Sequence, residues 1–237
     1  MDLTILIPVK NEEDNINNLV NAISNKINLE YEILFIDDFS NDKTLKIIKD
    51  IKQKNKKIKL IENKKKGLGE SIKNGIKFSS GKYVVITMCD GSDDLDNIVE
   101  YYNVIKNKNL DAVFGSRFLK KSNVKNYPKH KLILNRIFNH FVRIIYLNYY
   151  NDYTNAFKIY KKDVLKTLMP FISESFNIFL EIPLKIIGRG YSYKVIKINW
   201  YGRKKGEAKF KIKELRSKYI FTLLYCLLEK ILLKIEK

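Results

Sequence analysis

Two apolar runs in this chain end abruptly in carboxylates, and that pairing limits the fold more than any other feature. Ile33-Leu34-Phe35-Ile36 runs into Asp37-Asp38-Phe39-Ser40-Asn41-Asp42, and Val84-Val85-Ile86-Thr87-Met88-Cys89 runs into Asp90-Gly91-Ser92-Asp93-Asp94. Short apolar runs bounded by turn residues suit strands buried on both faces of a parallel sheet. In open α/β sheets ligands bind outside the carboxyl ends of the strands. Two acidic ends therefore predict one shared site for a cation and a diphosphate.

The intervening sequence fits that architecture. Leu3 to Val9 reads as a buried strand, with Asn11 expected to cap a helix rich in early acids, Glu12, Glu13 and Asp14. Further strands are expected at 31–37, 58–62, 83–88 and 111–115, and helices at 42–54, 67–78 and 94–106. This alternation implies right-handed crossovers and a mainly parallel sheet. After Arg117 a lysine-rich loop leads to a helix at 132–150, a strand or loop at 152–160, a helix at 176–187 and a strand at 191–200.

At 237 residues and 45% hydrophobic content the chain can bury a sizeable core. The net charge of +19 is unevenly placed: residues 1–100 hold 16 Lys+Arg against 17 Asp+Glu, and residues 101–237 hold 29 against 9. A basic second part suits nucleic acid, an anionic membrane or a phosphorylated substrate, although a general Lys, Asn and Ile bias also contributes. Nucleic acid is disfavoured, because no zinc spacing, helix-turn-helix signature or aromatic-basic RNA motif is present. Cys89 and Cys226 show no metal-ligand spacing and demand no oxidising compartment. The N-terminus shows no basic n-region or cleavable apolar segment, so the expected location is the cytoplasm, peripheral on the cytoplasmic face of a membrane.

Two helices bear on that location. Asn135, Arg136, Asn139, His140 and Arg143 form a polar stripe on an otherwise apolar rod. Such a helix suits a membrane interface or the presentation of arginines to a phosphate; a stripe facing water is the alternative. From Lys209 a basic helix leads into ten uncharged residues, Tyr219 to Leu228. Crossing a bilayer takes roughly 20 apolar residues, so this tail suits the interface plane or the docking of a partner subunit.

Several side chains could do chemistry. Asp90 is the leading candidate for a metal or diphosphate, since hard divalent cations choose oxygen ligands. Asp93 and Asp94 fit the capping of the helix that follows, and Asp38 with Ser40, Asp42 and Thr44 could form turn and cap chemistry. The Gly67-Leu68-Gly69 turn after Lys64-Lys65-Lys66 could offer backbone N–H groups to phosphate or be a tight strand-to-helix turn. His130 and His140 read as surface residues.

Taken in order, these stretches resemble a known family. Ile7-Pro8-Val9-Lys10-Asn11-Glu12-Glu13, Ile36 to Thr44, Lys66 to Gly69, the Asp90 segment, Phe114-Gly115-Ser116-Arg117-Phe118, Asp152 to Lys158 and Arg203 to Phe210 are similar to the family-2 glycosyltransferases, specifically the dolichol-phosphate mannosyltransferase-like branch. The resemblance implies an α/β GT-A (nucleotide-diphospho-sugar transferase) fold, with a mainly parallel sheet flanked by helices and C-terminal amphipathic membrane-interface helices. It places a glycosyltransferase domain at 1–215, split into a nucleotide-sugar half (1–117) and an acceptor half (118–215), followed by an amphipathic helix at 216–237. It implies that Pro8, Asn11 and Glu12 border the nucleotide, that Asp38 holds the base or ribose beside the Gly67 turn, and that Asp90 is the second acid of an Asp-x-Asp metal site. Arg117 and Arg136 match an acceptor-phosphate clamp, Arg203 and Lys209 a basic pair at the donor diphosphate, and Glu181 an acid orienting acceptor or sugar.

Three positions depart from the pattern. Met88 stands where the first acid is usual, which leaves dependence on Mg2+ or Mn2+ open. Phe39 stands where glycine is common, and Ala208 replaces a serine. The implied reaction is inverting transfer of a hexose from a nucleotide-diphosphate sugar to a polyprenyl phosphate at an anionic membrane surface, with room for a separate membrane subunit. Mannose from a guanosine donor and glucose from a uridine donor both stay open. An acceptor that is already an anion needs positioning and charge neutralisation rather than a strong base. A saccharide or protein hydroxyl acceptor is the rival, for which Asp93, Asp94 or Glu181 would serve as base.

Overall fold

The computed structural model describes residues 1–203 and 212–235; for 212–216 and 234–235 the description stops at the backbone. The first half alternates β1 (Leu3–Val9), α1 (Ile16–Lys26), β2 (Tyr31–Asp37), α2 (Thr44–Lys54), β3 (Ile58–Glu62), α3 (Leu68–Phe78), β4 (Tyr83–Ile86), α4 (Asp96–Asn107) and β5 (Ala112–Ser116). The second half holds β6 (Val124–Lys125), α5 (Lys129–Tyr146), β7 (Lys158–Lys161), α6 (Lys162–Thr167), α7 (Ile178–Gly188), β8 (Tyr193–Lys197), β9 (Trp200–Tyr201) and α8 (Ile212–Ile235).

Seven strands form one sheet in the order β3-β2-β1-β4-β7-β5-β8. Only β7 runs antiparallel to its neighbours, so the sheet is mainly parallel, as expected. Every residue of β1 and β2 is buried, which is why both runs are mainly apolar. Helices α1, α2 and α4 cover one face, and α3, α5, α6, α7 and α8 cover the other. A short ribbon of β6 and β9 stands apart from the main sheet, beside the Asp90 loop, where Tyr201 N donates to Ser92 O.

Two boundaries differ for identifiable reasons. Helix α1 starts at Ile16, not behind an Asn11 cap, because the amides of the early acids are used elsewhere: Glu12 N donates to Thr44 Oγ1 and Glu13 N to Asp42 Oδ2. Strand β4 ends at Ile86, two residues early, because Met88 N turns to the Asp93 carboxylate.

The outer helices correct the expected amphipathic pattern. On α5 the polar stripe is split: Asn139 is 1% exposed, while Arg136, His140 and Arg143 face solvent. The buried amide donates to Asn135 O and accepts from Thr154 N. The apolar residues Ile133, Leu134, Ile137, Phe141 and Ile144 are exposed. Helix α8 buries Tyr219, Leu223 and Cys226 but also exposes Ile220, Phe221, Leu224, Leu228, Ile231 and Leu232, so it is apolar on both sides. The two helices touch through the Phe138 and Tyr219 rings, 5.6 Å apart, and through Lys230 Nζ donating to Tyr146 O. No described helix is long and apolar enough to cross a membrane.

Because Asn139 fastens α5 and Ile137 is 62% exposed, their substitutions should separate. Asn139→Ala should cost about 1–2 kcal/mol, and Ile137→Ser should stay within about 0.5 kcal/mol, read by urea unfolding of each variant.

Candidate functional site at the carboxyl ends of β1, β2 and β4

Strand β1 lies between β2 and β4, so its exit loop meets the loops of both. Toward β2 the two loops are hydrogen-bonded across: Asn11 N donates to Ser40 Oγ, Asn41 N to Asn11 Oδ1, and Lys43 N to Glu13 Oε2. Pro8 is buried opposite Ile36 in the β1–β2 register. Asp38 is held on three sides. Gly67 N donates to Oδ1 at 2.7 Å, Asn63 Nδ2 reaches the same oxygen at 3.4 Å, and Lys10 Nζ lies 3.6 Å from Oδ2.

The glycines of the next turn are required by close approach. Gly67 adopts φ +134, and a Cβ there would meet Glu174 O at 2.7 Å. A Cβ on Gly69 would collide with Ser173 O, and Gly69 N donates to Glu174 O. The 172–174 segment is fixed in turn by Glu181, whose carboxylate accepts from Ile172 N and Ser173 N and pairs with Lys185 at 3.0 Å. Glu181 is fully buried. It therefore does not face acceptor or sugar, as the resemblance implied, but braces the wall behind the Gly67 turn.

Toward β4, Arg203 connects the loops: Nη2 lies 3.1 Å from Asp90 Oδ2 and 3.5 Å from Glu12 Oε1. Lys10 and Glu12, two residues apart, thus link Asp38 on one side and, through Arg203, Asp90 on the other. The two acids flank a single strand end. Lys209, the expected partner of Arg203, lies outside the described residues. Asp94 accepts from Asp96 N at 3.3 Å and so helps to start α4. Asp93 has another role. It is buried, accepts from Thr87 Oγ1 and Met88 N, and is pushed up to about 7, first by burial and then by the charge of Asp90.

Beyond β5 stand the two expected arginines. Arg117 is buried and grips Asp152 with two parallel bonds, Nε to Oδ2 at 2.9 Å and Nη2 to Oδ1 at 2.7 Å. Its backbone N also donates to Asp152. Arg136 is exposed, and its guanidinium lies 5.5 Å from the Phe118 ring; that of Arg117 lies 5.3 Å from the same ring. Phe118 thus brings both arginines together, one buried and anchored and one exposed.

Sequence reasoning assigned no role to Asp152 or Lys158. Lys158 is fully buried in β7, donates to Tyr153 O and Asn155 O, and is pushed down to about 7 by burial, against the pull of Asp152. A lysine placed directly between Phe157 and Ile159 was the available signal. Its ammonium shapes the turn that presents Asp152 to Arg117.

The raised Asp93 has a thermodynamic signature. Its carboxyl titrates near 3.8 when unfolded and near 7 when folded. Between those values only the unfolded chain releases the proton, so stability falls as pH rises through the window, and the penalty is complete above it. Asp93→Asn, whose amide oxygen can still accept both bonds, should gain on the order of 2–4 kcal/mol at pH 8 and little at pH 4, read by urea unfolding at both.

Sequence comparison adds three findings. The sequence pattern of the family described as "Glycosyl transferase family 2" matches residues 4–169. The chain is 28% identical over 218 residues to a dolichol-phosphate mannosyltransferase of Pyrococcus furiosus, covering 89% of this chain and 60% of the relative. It is 28% identical over 190 residues to a dolichyl-phosphate beta-glucosyltransferase of Dictyostelium discoideum, covering 71% and 56%. The chain thus spans less than two thirds of the length of either relative. Among solved structures, glucosyl-3-phosphoglycerate synthase from Mycobacterium tuberculosis, in complex with Mn2+, uridine diphosphate and glucosyl-3-phosphoglycerate, superposes with a TM-score of 0.69 at 16% identity, covering 95% of this chain and 79% of that one. That likeness extends to the α/β fold with its mostly parallel sheet. With the strand-end acids, the glycine turn and the arginine pair in place, the chain belongs to glycosyl transferase family 2.

Proposed function

We propose that the protein is an inverting hexosyltransferase that moves mannose or glucose from a nucleotide-diphosphate sugar to a polyprenyl phosphate at a membrane surface. One observation carries the choice of acceptor: α5 bears both Arg136 and the exposed apolar row. A phosphate held between Arg136 and the anchored Arg117 has an apolar path for its tail along the same helix. The mannosyl- and glucosyltransferase relatives point to the same acceptor class.

In this reading the base and ribose lie against Asp38 and the Gly67 turn, bordered by Pro8, Asn11 and Glu12, and the diphosphate extends toward Asp90 and Arg203. An acceptor phosphate oxygen attacks the anomeric carbon as the bond to the diphosphate breaks, which inverts that centre and releases nucleoside diphosphate. No proton has to be removed, so the site needs no histidine. Planar guanidinium groups suit the acceptor because their donors match phosphate oxygens in pairs.

The donor set suits a shared cation better than a protein cage. Met88 offers a soft thioether in place of a carboxylate, and the described residues contain no cluster of three His, Cys, Asp or Glu side chains able to hold a metal. Asp90 fits Mg2+ or Mn2+ completed by phosphate oxygens and water. Such a cation, when bound, neutralises the leaving diphosphate.

A hydroxyl acceptor would need a base. Glu181 is buried with both oxygens engaged, Asp93 is buried with Oδ2 taken by Thr87 and Met88, and Asp94 is bonded to Asn199. The lipid phosphate is the reading that requires no such group.

The apolar rows of α5 and α8 beside Arg136 and Arg143 support peripheral attachment to a membrane, which this reading puts on the cytoplasmic face. Each basic residue near an anionic surface contributes about 1 kcal/mol, reduced by salt.

A transfer assay with polyprenyl phosphate and a panel of sugar nucleotides, with and without chelator, tests the reaction. Asp90→Ala should lower kcat by at least about 100-fold, and Arg136→Ala should mainly raise KM for the lipid. Full activity of Asp90→Ala would remove that residue from the reaction, and transfer to saccharides alone would replace the acceptor. Separately, sedimentation with anionic vesicles should weaken at high salt and in the Ile137→Ser/Phe141→Ser double variant. Equal sedimentation with neutral and anionic vesicles at all salt levels would contradict attachment by charge.

A further inference from the structure

Phe39 follows Asp38 directly and holds φ +58, in the left-handed region that bulky L-residues avoid. Burial does not compensate for this strain. The residue is 38% exposed and belongs to neither core cluster. The backbone on each side is pinned, Asp38 N donating to Val9 O and Ser40 N to Asp37 Oδ2, and the flanking side chains accept from Gly67 N and Asn11 N, which keeps residue 39 at the rim of the strand-end site. Lys66 Nζ lies 5.5 Å over the ring. A strained, exposed aromatic held in place by its neighbours is a feature that a ligand contact would explain.

We propose that Phe39 is the stacking platform for the nucleobase of the donor, a role that rests on the donor reading given above. Its ring offers the base a flat apolar partner, while Asp38 beside it accepts hydrogen bonds from the base or ribose. Lys66 covers the ring from outside and adds a positive charge close to the nucleotide. Stacking of this kind tolerates different bases, since every base has a π-face. Phe39 therefore sets affinity for the nucleoside part of the donor and leaves the diphosphate to Asp90 and Arg203.

The test is isothermal titration of UDP, GDP and inorganic pyrophosphate into the parent protein and three variants, with Mn2+ present throughout. Phe39→Ala should bind both nucleotides about tenfold more weakly and pyrophosphate unchanged. Phe39→Gly should show the same loss together with a raised Tm, because glycine removes the backbone strain. Phe39→Trp should keep nucleotide affinity, and its added indole emission should be quenched by UDP or GDP but not by pyrophosphate. Parent-like nucleotide affinity in both the Ala and Gly variants, or an equal loss for pyrophosphate, would overturn the proposal. A parent protein that binds pyrophosphate and neither nucleotide would instead overturn the donor reading itself.

Discussion

The carboxyl end of β1 is the constraint on which the site depends. A strand in the interior of a parallel sheet delivers its exit loop between two others, and backbone groups there must find partners outside the ladder. Here the partners are the side chains of the neighbouring loops: Ser40, Asp42 and Thr44 take the amides of Asn11, Glu13 and Glu12. The acids of this region are thereby fixed before any ligand arrives. Preorganised groups of this kind cost no rearrangement when charge develops at the reacting centre.

The second half works through a different device, a buried ion pair. Arg117 and Asp152 are both removed from water, and either one alone would be a buried unpaired charge. Together with Lys158 they hold the turn between α5 and β7 against the end of β5. The cationic region therefore has a buried, paired part, Arg117, and an exposed part, Arg136. Phe118 joins the two through its ring.

What the sequence revealed follows from how local each feature is. The limits of β1, β2 and β3 could be read to the residue, since each is a mainly apolar run stopped by polar residues. Asp38 and Asp90 stood out because carboxylates at strand ends contradict the run before them. The start of α1 was misread because Glu12, Glu13 and Asp14 look like helix-dipole acids, and only the distant Asp42 and Thr44 show otherwise. The β6–β9 ribbon has two residues per strand and carries no period to detect. The role of Glu181 was hidden because its partners, the amides of residues 172 and 173, have no sequence signature. On α5 periodicity located the helix but not its orientation: an apolar row marks a face that avoids water, and a membrane satisfies that as well as a core does.

The position of β7 has a consequence for how the molecule comes into being. Because β7 is inserted between β4 and β5, the first 117 residues cannot close a continuous sheet by themselves. Strand β5 must wait for residues 158–161, and the Gly67 turn must wait for the carbonyls of 173 and 174. During synthesis the edge that carries the Gly67 turn therefore matures only after most of the chain has left the ribosome, and a fragment cut after β5 would be an unfinished sheet with an open edge.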